Sequence, residues 1–122
     1  TDSMNARVQI ISKEGKFVGK FGKRGTGTGD FANPRGIALD SEGHIYVTDT
    51  IFEAVQIFDK SGQLLLVFGR QGTKHGEFAL PAGISVSRDD KIYVADSYNM
   101  RVQVFGYLKK SQLENNGSQQ KK

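Results

Sequence analysis

Short runs of apolar residues alternate with turn-forming polar residues along most of the chain. Between residues 36 and 68 the apolar runs lie at 36–40, 44–48, 54–58 and 63–68 and are rich in Ile, Val, Leu and Phe. Turn formers separate these runs, among them Ser41-Glu42-Gly43 and Asp59-Lys60-Ser61-Gly62. Short β-branched and aromatic runs bounded by Gly, Asp and Ser predict strands joined by tight turns. The pattern therefore predicts an all-β chain.

The whole pattern repeats with a spacing of 47 residues. The run Asp-Ser-Met-Asn-Ala-Arg-Val-Gln-Ile at residues 2–10 returns, varied, at 49–57 and again at 96–104. Residues 2–48, aligned with 49–95 without a gap, are identical at 19 of 47 positions. Four short strands in about 45 residues is the size of one β-propeller blade. We therefore interpret the chain as a series of blades.

Three motifs of this repeat resemble the NHL repeat, the blade unit of a family of β-propellers. They are Phe31-Ala-Asn-Pro-Arg-Gly-Ile, Ile45-Tyr-Val-Thr-Asp and the segment 96–105. The resemblance spans residues 1 to about 107 and implies blades of four antiparallel strands, a to d, in a ring that one chain leaves incomplete. It implies a partial blade at 1–21 (c at 6–11, d at 16–21), a full blade at 36–68, and a partial blade at 83–106 (a at 83–87, b at 91–95, c at 101–106). The polar segment 108–122 is predicted to be a disordered tail.

An incomplete ring leaves blade faces and strand edges that another partner must cover. Three completions stay open: the remainder of a longer parent chain, copies of this chain, or a different protein. Three copies would supply about six blades, within the range of known propellers. The expected partners are therefore a protein or peptide, with homo-oligomerisation, a trimer for example, as one form of completion.

Net charge adds a nucleic-acid hypothesis that the charge distribution then weakens. The formal charge is +4 and the isoelectric point about 9.4. Residues 1–107 hold 13 Lys and Arg against 12 Asp and Glu, so most of the excess lies in the tail. The charges are blocked, however: residues 13–35 carry a net +4 and residues 36–59 a net −5. The charge distribution therefore does not favour nucleic acid as a partner. In addition, no apolar run approaches the ~18 residues of a membrane span.

One face of the propeller is the predicted binding surface. In this topology the loops between d and a and the hairpins between b and c emerge on the same face, and some proteins that the chain resembles bind RNA there. The candidate partner-binding residues on this face are Lys23, Arg24, Arg35, Ile51, Phe52, Arg70 and His75. Carboxylates lie on the same loops, and no aromatic residue is interleaved with the basic ones for base stacking. Protein or peptide binding is therefore preferred, with RNA binding as the alternative.

The recurring Asp-x-x-Asn-x-Arg motif is predicted to be structural. Asp and Asn bond their own backbone in turns, and an Arg two residues on can reach the carboxylate across the hairpin. We call this set the turn clamp; its predicted members are Asp2, Asn5, Arg7, Asp49, Asp96, Asn99 and Arg101. The middle hairpin departs from the motif, with Phe52 for Asn and Ala54 for Arg. The pair Ile51-Phe52 is then either buried against the next blade or exposed to a partner.

Catalysis is not expected, and neither a cofactor nor a metal is predicted. The chain has no cysteine, which excludes thiolate chemistry and disulfides. Its two histidines, His44 and His75, lie in loops expected at opposite ends of their blades. Some related propellers are lyases or ester hydrolases with a metal in the channel, and membership of such an enzyme is the second alternative. Asp40 is the one carboxylate near an a strand that could help to bind calcium in the central channel. Asp89 and Asp90 are predicted to form a solvated hairpin tip.

Overall fold

The computed structural model describes residues 1–106, which form nine strands in three antiparallel sheets. The predicted tail, 108–122, lies outside the described residues. A 3₁₀ turn, Ser3–Asn5, precedes the first strand. The strands are β1 (Val8–Ile11), β2 (Phe17–Phe21), β3 (Pro34–Leu39), β4 (Ile45–Asp49), β5 (Ala54–Phe58), β6 (Leu64–Phe68), β7 (Pro81–Val86), β8 (Lys91–Asp96) and β9 (Arg101–Gly106).

Each sheet is one blade or part of one. Strands β1 and β2 pair in the first blade, β3 to β6 in the middle blade and β7 to β9 in the last blade, always in chain order. The prediction of antiparallel blades in an unclosed ring is confirmed. Strand a of the middle blade begins at Pro34, two residues before the predicted start, because Pro34 pairs with Asp49 ahead of a bulge. Proline at the first residue of a strand costs no ladder hydrogen bond.

The core lies between the sheets and repeats from one blade interface to the next. Along β4, Ile45 and Val47 pack toward the first blade, whereas Tyr46 packs toward the last. Alternating side chains on a strand face opposite sides of the sheet, so the buried middle strand serves both interfaces. One phenylalanine triad fills each interface: Phe21, Phe31 and Phe58 at the first, and Phe68, Phe78 and Phe105 at the second.

Hydroxyl groups join neighbouring blades at repeated positions. Ser3 Oγ donates to the carbonyl of Pro34, and Thr50 Oγ1, 47 residues later, donates to the carbonyl of Pro81 at 2.8 Å. Thr1 Oγ1 bonds the Arg35 carbonyl in the same way at 2.9 Å. These side chains satisfy carbonyls at the blade junctions, where the ladder of one sheet ends. The rotation between successive blades is thereby fixed at the end that carries the b–c hairpins.

The two ends of the blades are chemically separate. At one end the b–c hairpins contact the d–a loops, as when Tyr98 N–H donates to the Ala79 carbonyl at 3.0 Å. At the other end the a–b turns meet the c–d turns, where a Cβ on Gly43 would lie 2.4 Å from Lys60 Cε. Within residues 1–106 no helix is long and apolar enough to cross a membrane.

The predicted solvated tip at Asp89-Asp90 is wrong for Asp90. This residue is only 6% exposed, and its carboxylate accepts hydrogen bonds from Ser41 N–H at 2.9 Å and Ser41 Oγ at 2.6 Å. Ser41 belongs to the a–b turn of the middle blade, so Asp90 joins two blades at the end away from the hairpins. Asp89, by contrast, is exposed and lies near Lys91.

Candidate binding surface on the hairpin face

The hairpin face comprises the b–c hairpins 2–7, 49–54 and 96–101 and the d–a loops 22–33 and 69–80. All three hairpins have a residue with positive φ at the same position of the repeat. Ala6, Glu53 and Met100, spaced by 47 residues, have φ of 53°, 56° and 52°. This left-handed conformation is uncommon for residues with a side chain. Three different residue types therefore adopt the left-handed conformation at the equivalent position of each hairpin.

In the first and last blades the turn clamp is made by side chains. Asp2 Oδ2 accepts hydrogen bonds from Asn5 at 3.0 Å, Arg7 Nε at 2.8 Å and Gln9 at 3.1 Å. The hydrogen bond from Asn5, followed by that from Arg7, holds the pKa of Asp2 below its usual value. The carboxylate therefore stays charged and organises the hairpin around itself.

The clamp of the last blade repeats this arrangement in a buried setting. Asp96 Oδ2 accepts from Asn99 at 2.9 Å, Arg101 Nε at 2.7 Å and Gln103 at 3.2 Å, and Oδ1 accepts from Ala79 N–H at 2.7 Å. Burial raises the pKa of Asp96, but these hydrogen bonds outweigh burial and leave the pKa below its usual value. A fully buried carboxylate is tolerated here because every bond it accepts favours the charged form.

The middle hairpin satisfies its aspartate with backbone groups instead. Asp49 Oδ2 accepts from Ala32 N–H at 2.7 Å, and Oδ1 from Asn33 N–H at 3.1 Å, Ile51 N–H at 3.1 Å and Phe52 N–H at 3.0 Å. Asp49 is fully buried. The carboxylate thus holds loop and hairpin together without the Asn and Arg of the other two blades.

The arginine of the last blade does more than bind its aspartate. Arg101 Nη2 also donates to the carbonyls of Lys74 and Glu77 in the adjoining d–a loop, each at 3.0 Å. Asn99 donates to the Gly72 carbonyl at 3.0 Å. These two side chains fill the space between hairpin and loop and fix the loop at three carbonyls.

A cleft lies in the corresponding place in the middle blade, where the sequence has Ala54 and Phe52. It measures about 360 Å³, at the lower end of the range for ligand pockets. Its lining comes from both d–a loops, the hairpin, β5 and β6: Thr26, Gly27, Thr28, Asp30, Phe52, Ala54, Gln56, Val67, Gly69, Arg70 and Gln71. Gln71 also borders a second groove of about 440 Å³, lined by Glu53, Gly72, Thr73, Ala79, Leu80, Tyr98 and Asn99.

Apolar side chains are exposed at the tips of all three hairpins. Met4 is 88% exposed, Ile51 62% and Met100 91%, and Tyr98 is 75% exposed beside Leu80 at 47%. Phe52 is half-buried and lines the cleft. Of the two alternatives for the pair Ile51-Phe52, the structure has Ile51 turned to solvent and Phe52 partly covered.

The predicted basic residues lie on the surface, but two of them are held by neighbours. Lys23, Arg35 and His75 are exposed. Arg24 is exposed and donates to the carbonyls of Met4 at 2.9 Å and Ala32 at 3.2 Å. Arg70, with its side chain 80% exposed, pairs with Glu77 at 3.0 Å. Basic and acidic groups are therefore interleaved on this face.

Histidine and carboxylate side chains are dispersed over the described residues, and no three of them converge as metal ligands would. His44 Nδ1 lies 2.9 Å from Asp40 Oδ2, which also accepts from Tyr46 OH at 2.9 Å. Burial raises the pKa of Asp40, and the hydrogen bonds led by that of His44 lower it below its usual value. This group lies in the a–b turn, at the end opposite His75.

Three residues that contribute to this face were not predicted from the sequence. Gln56 and Gln103, both in the recurring Val-Gln pair, donate to the carbonyls of Asp30 at 2.8 Å and Glu77 at 2.7 Å. Their recurrence at a spacing of 47 was the available signal. Leu80, which has φ of 52°, does not recur: the residue 47 positions earlier is Asn33. The repeat therefore gave no signal for Leu80.

Comparison with known proteins agrees with this architecture. The family model of the NHL repeat matches residues 78–105, and a family model described as a 6-bladed beta-propeller matches residues 1–50. No curated protein sequence gives a significant match to the chain.

Solved structures give the same fold at low sequence identity. A streptogramin B lyase superposes with a TM-score of 0.63 at 14% identity, covering 91% of this chain and 37% of the lyase. Virginiamycin B lyase from Staphylococcus aureus gives 0.55 at 19% identity, covering 88% and 36%, and Kuenenia stuttgartiensis hydrazine synthase gives 0.53 at 18%, covering 84% and 30%. The chain thus spans about a third of each of these three structures. The 47-residue repeat, the sheet topology and the two family models together identify the chain as β-propeller blades, of which residues 78–105 match the NHL repeat.

Proposed function

We propose that the hairpin face is a non-enzymatic binding surface for a protein or peptide. The observation that carries this proposal is the row of exposed apolar side chains on successive hairpin tips, formed by Met4, Ile51, Tyr98 and Met100. Exposed apolar groups that cluster on one face mark interaction sites in soluble proteins. Methionine side chains adapt to varied partner shapes, and tyrosine contributes a large, rigid contact area.

The scaffold beneath the tips supports the same proposal. The Asp2, Asp49 and Asp96 carboxylates tie hairpins to neighbouring backbone and side chains, so the tips are held in place before a partner arrives. A preformed surface loses little conformational entropy on binding. The two grooves that meet at Gln71 give a side chain of the partner somewhere to enter.

Protein binding is favoured over RNA binding by the charge arrangement. Arg24 is bound to carbonyls and Arg70 to Glu77, so these cations are already partnered. RNA-binding faces combine a continuous basic groove with aromatic platforms, whereas Asp30 and Glu77 interrupt the basic residues here. Resemblance to lyases at 14–19% identity supports a shared fold and assigns no chemistry to this chain.

Self-association through strand edges remains part of this proposal. Within the described residues, β1 has a neighbour in its sheet on one side alone, as does β9. Unpaired strand edges are templates for pairing with another chain. Sedimentation equilibrium tests this: a mass near three times 13.4 kDa supports a trimer, and a folded monomer rejects self-assembly.

Selection of binding peptides tests the hairpin face directly. A displayed random-peptide library panned against the chain should yield sequences whose affinity falls at least about tenfold with Ile51→Asp. The matched control is Leu65→Asp on β6, because Leu65 is 50% exposed but lies away from the hairpins. Equal losses in the two variants would reject the hairpin face. Single-stranded RNA that binds with a salt dependence removed by Lys23→Glu and Arg24→Glu would favour the alternative.

A further inference from the structure

The middle blade lacks a guanidinium group that the other two blades possess. In the last blade Arg101 donates to Asp96 and to the carbonyls of Lys74 and Glu77. The residues 47 positions earlier are Ala54, Gly27 and Asp30. The side chain of Ala54 has no donor group, so its hairpin and the loop facing it are joined without a guanidinium.

The surroundings of the missing side chain are nevertheless retained. Gln56 donates to the Asp30 carbonyl at 2.8 Å, as Gln103 does to the Glu77 carbonyl at 2.7 Å. The loop therefore keeps its position relative to β5 even though the arginine is absent. The 360 Å³ cleft is lined by Gly27, Asp30 and Ala54, which correspond to the residues that surround and supply the guanidinium in the last blade.

The walls of the cleft suit a long cationic side chain. Phe52 and Val67 provide apolar surface for an aliphatic stem, and the hydroxyls of Thr26 and Thr28 lie at its border. Asp30 supplies negative charge; its Oδ2 also accepts a hydrogen bond from Gly27 N–H at 3.0 Å. An arginine side chain buries its stem against apolar groups and presents its planar fork of donors to oxygens.

The nearby cation Arg70 is compatible with a second positive charge. Arg70 is paired with Glu77 at 3.0 Å and so is partly neutralised. In the first blade, Arg7 and Lys23 occupy the corresponding positions of the repeat, so two cations at these positions are already present in this chain. A cation in this loop therefore does not prevent an arginine from lying in the adjoining hairpin.

We propose that the cleft binds the guanidinium group of an arginine side chain carried by a peptide partner. The inference rests on the proposed function, since it names the side chain that the hairpin face recognises. Arginine is favoured over lysine because one planar group can donate to several oxygens set at fixed angles, as Arg101 does, whereas an ammonium acts as a point charge.

Backbone amide NMR with small-molecule probes tests the cleft. N-acetyl-arginine amide should cause saturable shifts in the ¹H–¹⁵N signals of residues 26–30, and N-acetyl-lysine amide should bind about tenfold more weakly. Ala54→Arg should abolish the shifts, because the variant supplies its own guanidinium. Gln63→Arg, in an exposed turn at the other end of the blade, adds the same charge and should leave binding unchanged.

Two further variants keep the result decisive. Arg101→Ala should open a second arginine-selective cleft in the last blade, with shifts at residues 73–77. Asp30→Asn should weaken binding at the first cleft about tenfold without filling it, even if Ala54→Arg fails to fold. Equal binding of the arginine and lysine probes, or shifts that persist in Ala54→Arg, would overturn the proposal. The proposal would also be overturned if the arginine probe saturated the last-blade cleft of Arg101→Ala but caused no shifts at residues 26–30.

The cleft and the binding face can fail separately. Selected peptides that bind the hairpin tips but lack arginine would leave the proposed function standing and reject the cleft. Arginine-selective binding of the probe, with no peptide selected, would support the cleft and reject the binding face as a peptide site. Loss of both would reject both.

Discussion

The middle and last hairpins share a left-handed residue at the same position of the repeat but are held in different ways. Asp96 accepts from three side chains and one backbone N–H, and those side chains have second partners among the loop carbonyls. Asp49 accepts from four backbone N–H groups. The comparison separates what the turn requires from what it can omit. An aspartate carboxylate is present in all three hairpins, whereas the middle hairpin forms without a cationic partner, and a cleft lies beside Ala54 there.

Removal of the two carboxylates should reveal this difference with the largest effects. Asp49→Ala leaves four backbone donors facing a void, and each buried donor without a partner costs about 1–3 kcal/mol. We expect the free energy of unfolding to fall by about 4 kcal/mol, the several donors being partly rehydrated. Asp96→Ala should cost about 2 kcal/mol, because Arg101, Asn99 and Gln103 keep their carbonyl partners.

Urea denaturation of both variants measures the difference. Asp59→Ala serves as a control, since Asp59 also accepts hydrogen bonds but lies in an exposed c–d turn. A greater loss with Asp96→Ala than with Asp49→Ala would contradict the interpretation that backbone donors depend more heavily on their aspartate.

Acid should weaken the last clamp as its aspartate gains a proton. The folded-state pKa of Asp96 lies below the ordinary value of 3.8. A lowered pKa means that the charged form stabilises the fold: the contribution is complete above pH ~4 and is lost as the pH falls through the folded pKa. Asp96→Asn should therefore have lower stability at neutral pH and a shallower decline below pH ~4. Thermal denaturation between pH ~2 and ~7 measures both, and parallel profiles for variant and wild type would refute the assignment.

The repeat allows the blades to be predicted from the sequence but not the contacts across them. Strand positions follow from apolar runs that recur every 47 residues, and the structure places them within about two residues of expectation. Asp90 was misjudged because its neighbour Ser41 lies 49 residues away and the corresponding residue in the middle blade is Gly43, which has no side chain to compare.

The cleft shows the same limit at the candidate site. The sequence reveals that Phe52 and Ala54 depart from the motif, but it does not decide whether the apolar pair Ile51-Phe52 is buried. The retained loop position could not be predicted, because it depends on the bond from Gln56 to the carbonyl of Asp30, 26 residues earlier. Substitutions in a motif are visible in a sequence, whereas the space they leave depends on how far neighbours relax.

Restoration of the missing side chains should stabilise the middle hairpin modestly. Phe52→Asn with Ala54→Arg restores the Asn and Arg of the motif, and a gain of about 1 kcal/mol is expected from hydrogen bonds to loop carbonyls. The gain is limited because Asp49 is already satisfied and Phe52 loses its apolar contacts. Differential scanning calorimetry measures the shift in Tm. A lower Tm would mean that the middle loop does not retain the arrangement seen around Arg101.

The smallest effect is expected at Leu80, where the middle and last hairpins meet. Leu80 has φ of 52°, and its N–H donates to Glu53 Oε2 at 3.3 Å. A left-handed residue costs about 1–2 kcal/mol, a cost that asparagine reduces through local hydrogen bonding. Leu80→Asn should therefore raise stability by up to about 1 kcal/mol in urea. Because Leu80 lines the second groove beside Tyr98, the same variant should bind selected peptides more weakly. If Leu80→Asn unfolds at higher urea than the wild type and binds the selected peptides with equal affinity, the leucine side chain contributes neither to stability nor to binding in the groove.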